Sequence, residues 1–310
     1  MCKVGVAYGE ELLLYSFPHG HPMKSDRVKA FFRLIRETDN IKFVKPKKAD
    51  DEIIKLFHSP KYIEYVKEMS ESGLGYLDYG DTPAFKGIYE ASAYIVGTTV
   101  KLVDLIMKGE IEHGFNPMAG LHHARRESAA GFCVFNDIAV AIEYLRKKYN
   151  VKRILYVDID AHHGDGVYYS YEADPDVYIL DVHQRGIYPL SGYEYERGAG
   201  AARGTKVNVP LDYGADDEEL MDAIESNIEF MRSSGAEIVI LQSGCDGLYE
   251  DPLTGLCYTI EGIAKAGSIV HEISHEISSG RLLILGGGGY YAEGTARGWF
   301  NLLSEISKGL

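Results

Sequence analysis

Five β-branched or leucine-rich runs set the framework this chain can adopt: RILYVD (153–158), VYILDVH (177–183), KVNVPL (206–211), EIVILQSG (237–244) and RLLILGGGG (281–289). Most are continuously apolar rather than alternating, the pattern of strands covered on both faces of a parallel sheet. Helical patterns lie between several of them. FNDIAVAIEYLRKKY starts from Asn136 as an N-cap, DDEELMDAIESNIEFMRSSG is acidic at its start and ends in glycine, and TIEGIAKAGSIVHEISHEISSG stops at Gly280. Strands alternating with helices predict an α/β fold with a central, mainly parallel sheet and helices on both faces. No internal repeat, low-complexity tract or Pro/Ser-rich linker divides the chain, so residues 1–310 are expected to form a single domain.

Polar residues gather where these runs end. The first run ends in Asp158-Ile159-Asp160, the fourth in Ser243-Gly244-Cys245-Asp246, and the last in Gly286–Gly289 followed by Tyr290. Ligands of open α/β sheets bind beyond the carboxyl ends of the strands, so three strands are expected to aim their chemistry at one edge. If the first strand continues to His162, alternation points Asp158, Asp160 and His162 to one face. Burying such a cluster without a cation costs several kcal/mol, and a divalent metal relieves it. Two carboxylates and one imidazole leave a coordination position open, as catalytic rather than structural sites do; Asp246 is the best-placed further carboxylate. The competing reading is a strand-end hydrogen-bond network or a set of helix caps.

Two further features stand apart. His122-His123 lies among small residues in MAGLHHARRESAAGFCVFND (118–137), as a catalytic pair or as ordinary loop histidines. The Gly286–Gly289 run lacks a following Lys-Ser/Thr, which excludes a P-loop. Its glycines are expected to let backbone approach a substrate, with Tyr290 as a hydrogen-bond donor.

A net charge of −14 argues against nucleic acid as partner, because counterion release from a backbone carrying about one charge per 1.7 Å drives most such binding. No stretch nears the roughly 20 apolar residues of a membrane span. The N-terminal MCKVGVAYGEELLLYSF has only a short apolar run broken by two glutamates, unlike a signal peptide. Four cysteines (Cys2, Cys133, Cys245, Cys257) make no disulfide framework, so a reducing cytoplasm is expected.

Taken in order, HGHPMKSDRV, YGDTPAFKGIYEA, GLHHARRESAAGFCVFND, ILYVDIDAHHGDGV, LQSGCDGLYEDPLTG and LILGGGGY resemble the zinc-dependent histone deacetylase family, which includes bacterial acetoin-utilisation proteins and acetylpolyamine amidohydrolases. The resemblance implies one arginase/deacetylase-like α/β domain. It implies Asp160, His162 and Asp246 as ligands of one divalent metal, zinc or else ferrous iron. It implies His122 and His123 as the catalytic pair, oriented by Asp158 and Asp165, and Tyr290 as donor to the substrate carbonyl. Asp81 matches a rim residue that accepts from substrate amides; Gly131, Phe132 and Tyr188 match the walls of an acyl-lysine tunnel. A structural K+ site would use Asp158, Asp160, His162, Asp181 and Val182, partly through backbone carbonyls; Asp181 departs from the small hydroxyl residue often found there. Leu253 stands where polyamine-selective relatives carry glutamate, which favours acetyl-lysine in a protein or peptide, or a neutral small acetylated amine.

The implied reaction is hydrolysis of an N-acetyl amide. A positioned histidine base contributes ~10²–10⁴ in rate, whereas lowering the pKa of a coordinated water from about 15.7 to about 7 is equivalent to roughly 12 kcal/mol. The ion is therefore expected to carry the larger share, with His123 taking the proton of the attacking water and Tyr290 steadying the oxyanion. Three other readings remain: an acetylpolyamine amidohydrolase, an arginase-type binuclear ureohydrolase suggested by DAHHGD (160–165), and a non-enzymatic acyl-lysine binding protein.

Overall fold

All five expected runs pair as parallel strands: β4 (Ile154–Asp158), β5 (Val177–Gln184), β6 (Lys206–Leu211), β7 (Ile238–Gln242) and β8 (Leu282–Leu285). The computed structural model describes residues 3–18, 20–36, 38 and 41–308. Three more strands complete an eight-stranded sheet: β1 (Val4–Ala7), β2 (Ile41–Val44) and β3 (His113–Asn116). Each spans four residues, too few for periodicity to declare itself, and the HGFN of β3 offers one large apolar side chain. Neighbouring strands place them, not their own composition.

The strand order is β2-β1-β3-β8-β7-β4-β5-β6, parallel throughout. Every residue of β4, β7 and β8 is buried, matching their continuous apolar runs. β6 alternates buried and half-buried residues and carries Pro210, as suits an edge strand with no ladder donor needed there.

The helices form two mutually packed groups around the sheet. One comprises α1 (Asp26–Ile35), α7 (Asp217–Glu225), α8 (Ile228–Ser233), α9 (Ile260–Ser278) and α10 (Ala292–Ser307). The other comprises α2 (Asp51–Ile54), α3 (Pro60–Ser72), α4 (Ile88–Met107), α5 (Asp137–Tyr149) and α6 (Asp165–Tyr171). Asn136 caps α5 as expected, its side chain accepting from Ala139 N–H at 2.9 Å. α9 ends at Ser279 in the left-handed conformation, just before Gly280. The acidic segment after Asp216 is two helices rather than one. The Asn227 side chain donates to the Ala223 carbonyl at 2.8 Å and so competes with the backbone for the last turn of α7. Cys133, Cys245 and Cys257 are free thiols; Cys2 lies outside the described residues.

One consequence of the strand order governs function. β3, β8, β7 and β4 are consecutive neighbours, so the segments that follow them meet over the middle of the sheet. Those segments carry His122-His123, the glycine run with Tyr290, Asp246, and the Asp158–Asp165 cluster.

Candidate active site

β4 stops at Asp158, four residues short of the end expected from alternation. The carboxylates themselves end it. Asp158 Oδ1 accepts the N–H of Asp160 at 3.0 Å, and Asp160 Oδ1 accepts the N–H of His162 at 3.0 Å. Two successive side-chain-closed turns thus replace the strand. Asp158 turns toward His122, whereas Asp160 and His162 meet Asp246.

The ligand atoms of Asp160, His162 and Asp246 all lie within 4.8 Å of one another. His162 Nδ1 is 2.8 Å from Asp246 Oδ2 and 3.2 Å from Asp160 Oδ1. The second oxygens are fixed from behind: Asp160 Oδ2 accepts from Gln242 Nε2 and Gly288 N–H, both at 2.7 Å, and Asp246 Oδ1 accepts from Ala161 N–H at 2.9 Å. Burial and the neighbouring Asp160 push Asp246 up to about 7. Burial works against a charged His162, but Asp246 and Asp160 outweigh it and lift its pKa to about 10. Two buried carboxylates thus draw in positive charge, and a ring proton is what answers within the chain itself. This donor set fits a divalent cation.

The neighbouring imidazoles form an asymmetric pair. His122 Nδ1 faces Asp158 Oδ2 at 2.8 Å, His123 Nδ1 faces Asp165 Oδ1 at 2.8 Å, and the two Nε2 atoms stand 3.0 Å apart. Burial opposes a charge on His122, yet Asp158 and Asp160 raise its pKa to about 10. For His123, burial and then the adjacent His122 pull it down to about 4. Burial would raise Asp165, but hydrogen bonds from His123 and Arg125 bring it to about 2. Since both Nδ1 atoms face carboxylates, two bare Nε2 lone pairs at 3.0 Å would repel. One proton between them resolves this, held by His122.

Above the pair lies a cavity of about 230 Å³ lined by Asp81, His123, Gly131, Phe132, His162, Ile187, Tyr188, Leu253 and Tyr290. Every wall, rim and donor residue named from sequence meets here, and Ile187 joins them. The rings of Tyr188 and His123 meet edge-on at 5.0 Å, as do those of Phe132 and Tyr290 at 5.9 Å. Gly131 is required by space as well as by its φ of 53°, since a Cβ there would stand 2.5 Å from the His123 ring. Burial, with Asp78 next to it, raises Asp81 to about 6.

The glycine run differs from expectation. A Cβ on Gly288 would meet Asp246 Oδ2 at 2.2 Å, and one on Gly287 would meet the Gln242 amide at 2.4 Å. These glycines approach the ligand carboxylate Asp246 and the Gln242 amide that holds Asp160, not the cavity, whose lining includes Tyr290 but none of them. At the expected K+ site, Asp158 and Asp181 are register partners across β4 and β5, with Val182 following on β5. Asp181 accepts from Gly164 N–H at 2.9 Å, and His183 Nδ1 lies 2.7 Å from its other oxygen. Asp160 and His162 direct their side chains to Asp246, so only their backbone carbonyls are left for that site.

A histone deacetylase domain model matches residues 21–306. The chain belongs to the histone deacetylase family. It is 36% identical over 296 residues to the acetoin utilization protein AcuC of Bacillus subtilis (strain 168), covering 91% of this chain and 76% of that protein. It is 35% identical over 299 residues to AcuC of Staphylococcus xylosus, covering 92% and 77%. The crystal structure of the HDA15 HD domain shares its fold with a TM-score of 0.90 and 22% identity, covering 99% of this chain and 90% of that one. The arginase/deacetylase fold is thus established, and the family places the chain among deacetylating hydrolases.

Several supporting residues of this family member escaped the sequence reading. Arg27 is 2% exposed and donates through Nη1 to the carbonyls of Gly287 at 2.8 Å and Gly289 at 3.1 Å, fixing the glycine run. Tyr156 donates to Asp158 Oδ2 at 2.5 Å, Gln242 holds Asp160, and Asp251 accepts from Tyr290 N–H at 2.6 Å. Arg27 sits within HGHPMKSDRV, and Asp251 within LQSGCDGLYEDPLTG, so the blocks pointed to them. Their partners, up to 262 residues away, did not.

Proposed function

We propose that the chain hydrolyses N-acetylated amines, most favourably the acetyl-lysine side chain of a protein or peptide, with one divalent cation, zinc foremost, held by Asp160, His162 and Asp246. Such a cation would supply Lewis acidity toward the acetyl oxygen and a water of lowered pKa. The remaining work belongs to the side chains. Gly131, Phe132, Tyr188 and Leu253 line an extended acyl-amine in the cavity, with Asp81 at its mouth to accept from backbone amides. His123, the member of the pair that lines the cavity, takes a proton from the attacking water at Nε2 as the water oxygen bonds to the acetyl carbon, a step in which its contact with the His122 Nε2–H opens. Tyr290 donates its hydroxyl to the developing oxyanion. His123 then returns the proton to the amine nitrogen as the C–N bond breaks, leaving acetic acid and the amine, which part as acetate and ammonium once the remaining acid proton has passed to the amine. His122, protonated and braced by Asp158, stays behind the pair as fixed positive charge.

The observation that carries this reading is the convergence, beside one cavity, of the Asp160, His162 and Asp246 donor atoms with two imidazoles that each face a carboxylate, His122 on Asp158 and His123 on Asp165. Against a binuclear ureohydrolase, Asp251, the next carboxylate after Asp246, is already engaged by the N–H groups of Leu253 and Tyr290. Leu253, an apolar wall without charge for a second ammonium, favours acetyl-lysine over acetylpolyamines. The test is parallel turnover on acetyl-lysyl peptides, acetylpolyamines and small acetylated amines, with and without a chelator. Chelator-sensitive hydrolysis, fastest on the peptides and lost in His123→Ala, is expected. Equal rates with and without chelator, or binding of acetyl-lysine without turnover, would overturn it.

A further inference from the structure

A second group of converging imidazoles occupies the other end of the sheet. His113 is the first residue of β3, with Val4 and Leu282 as register partners, so it lies at the amino edge, whereas the chemistry above lies past the carboxyl ends. His271 and His275 are one turn apart on α9 and share a face. His271 Nε2 stands 3.1 Å from His113 Nε2 and 3.0 Å from His275 Nε2, and the three ligand nitrogens lie within 4.8 Å of one another. The rings stand at 80–85° to each other. His113 and His271 are buried; His275 is half-buried and opens the group to solvent.

Hydrogen bonding within the group satisfies it poorly. A ring nitrogen either donates or accepts, yet His271 Nε2 belongs to both short contacts, so one proton or one lone pair must serve two neighbours. His113 Nδ1, also buried, has no hydrogen-bond partner. Three imidazole nitrogens gathered within 4.8 Å of one another make a ligand set for a cation. Bonds of about 2.0–2.1 Å in a tetrahedral site set ligand nitrogens about 3.3–3.4 Å apart, so the observed pairs need to open by only a few tenths of an ångström. The group contains no carboxylate, which disfavours hard cations such as Mg2+ and Ca2+; neutral imidazoles select borderline divalent ions.

We propose that His113, His271 and His275 form a second metal site, for a borderline divalent cation such as Zn2+, Co2+, Ni2+ or Cu2+. It ties α9 to the amino end of β3 and is independent of the catalytic cluster. The probe is Co2+, titrated into metal-free full-length protein against a competing chelator, with the d–d spectrum as readout. His275→Gln should bind one Co2+ fewer than the wild type, or bind that ion at least on the order of 100-fold more weakly, with hydrolytic turnover and near-UV circular dichroism unchanged. Asp246→Asn should keep the ion that His275→Gln loses, and the double variant should lose it again. This difference between variants is read whether or not the catalytic cluster holds metal, so it stands apart from the proposed hydrolysis. Equal Co2+ stoichiometry and affinity in wild type and His275→Gln, or in Asp246→Asn and the double variant, would overturn the proposal.

Discussion

The two ends of the sheet hold histidines in opposite electrostatic company. Past the carboxyl ends, three imidazoles each have a carboxylate on at least one nitrogen: Asp158 for His122, Asp165 for His123, Asp160 and Asp246 for His162. At the amino edge, His113, His271 and His275 face each other with no carboxylate in the group. Where the acids accumulate, His122 and His162 rise to about 10 despite burial. At the amino edge, burial and the other rings lower His113 to about 3 and His271 to about 4, outweighing the upward pull of Glu112 on His271. Burial alone makes an imidazole neutral; burial with surplus carboxylate makes it a cation or calls in a metal. The first arrangement suits a soft-to-borderline ligand set, the second a charged reaction centre.

The largest effect should come from removing the acid. Asp246→Asn is expected to abolish turnover by on the order of 10⁴-fold or more, since the ion carries most of the rate; kcat/KM on an acetyl-lysyl peptide with added Zn2+ measures this. Retained activity would break the distinction between the two ends. Next, His123→Ala should lower kcat by about 10²–10⁴-fold, the range for one positioned base. A smaller loss in His123→Ala than in His122→Ala would reverse the roles within the pair. Tyr290→Phe should cost about 2.7–4 kcal/mol in kcat/KM, expressed mainly in kcat, because the hydroxyl acts on the oxyanion rather than on bound substrate.

The smallest effect lies in stability at the amino edge. His113 has a folded pKa of about 3, below the ordinary 6.5, so it resists the proton that the unfolded chain accepts. Its contribution is complete above pH 6.5 and is lost as pH falls toward 3, at up to about 1.4 kcal/mol per pH unit. His113→Leu should flatten the acid limb of denaturant stability in metal-free protein by about that slope. An unchanged limb would show that the amino-edge ring is not held neutral.

How far the sequence could be read depended on the range of each interaction. β4, β5, β7 and β8 were legible because burial on both faces writes itself as an apolar run. β1, β2 and β3 were not, because four residues held by their neighbours carry no period of their own. Asp160, His162 and Asp246 were visible as chemistry at strand ends. The strand itself ended earlier than alternation suggested, because Asp158 and Asp160 spend carboxylate oxygens on the N–H groups two residues on. Arg27 and Gln242 were silent for a different reason. An arginine in a helix and a glutamine at a strand end look ordinary until the chain brings Gly289 and Asp160 against them.

By itself, then, the sequence determined a parallel α/β framework and the identity of the acids and imidazoles at its strand ends, since these follow from periodicity and residue type. Only the tertiary structure decided which nitrogen faces which oxygen, why His122 and His123 part ways, and that three histidines separated by up to 162 positions converge beneath the sheet. Those outcomes rest on distances of about 3 Å between groups far apart in the chain, where charge and burial set protonation and no local pattern can record them.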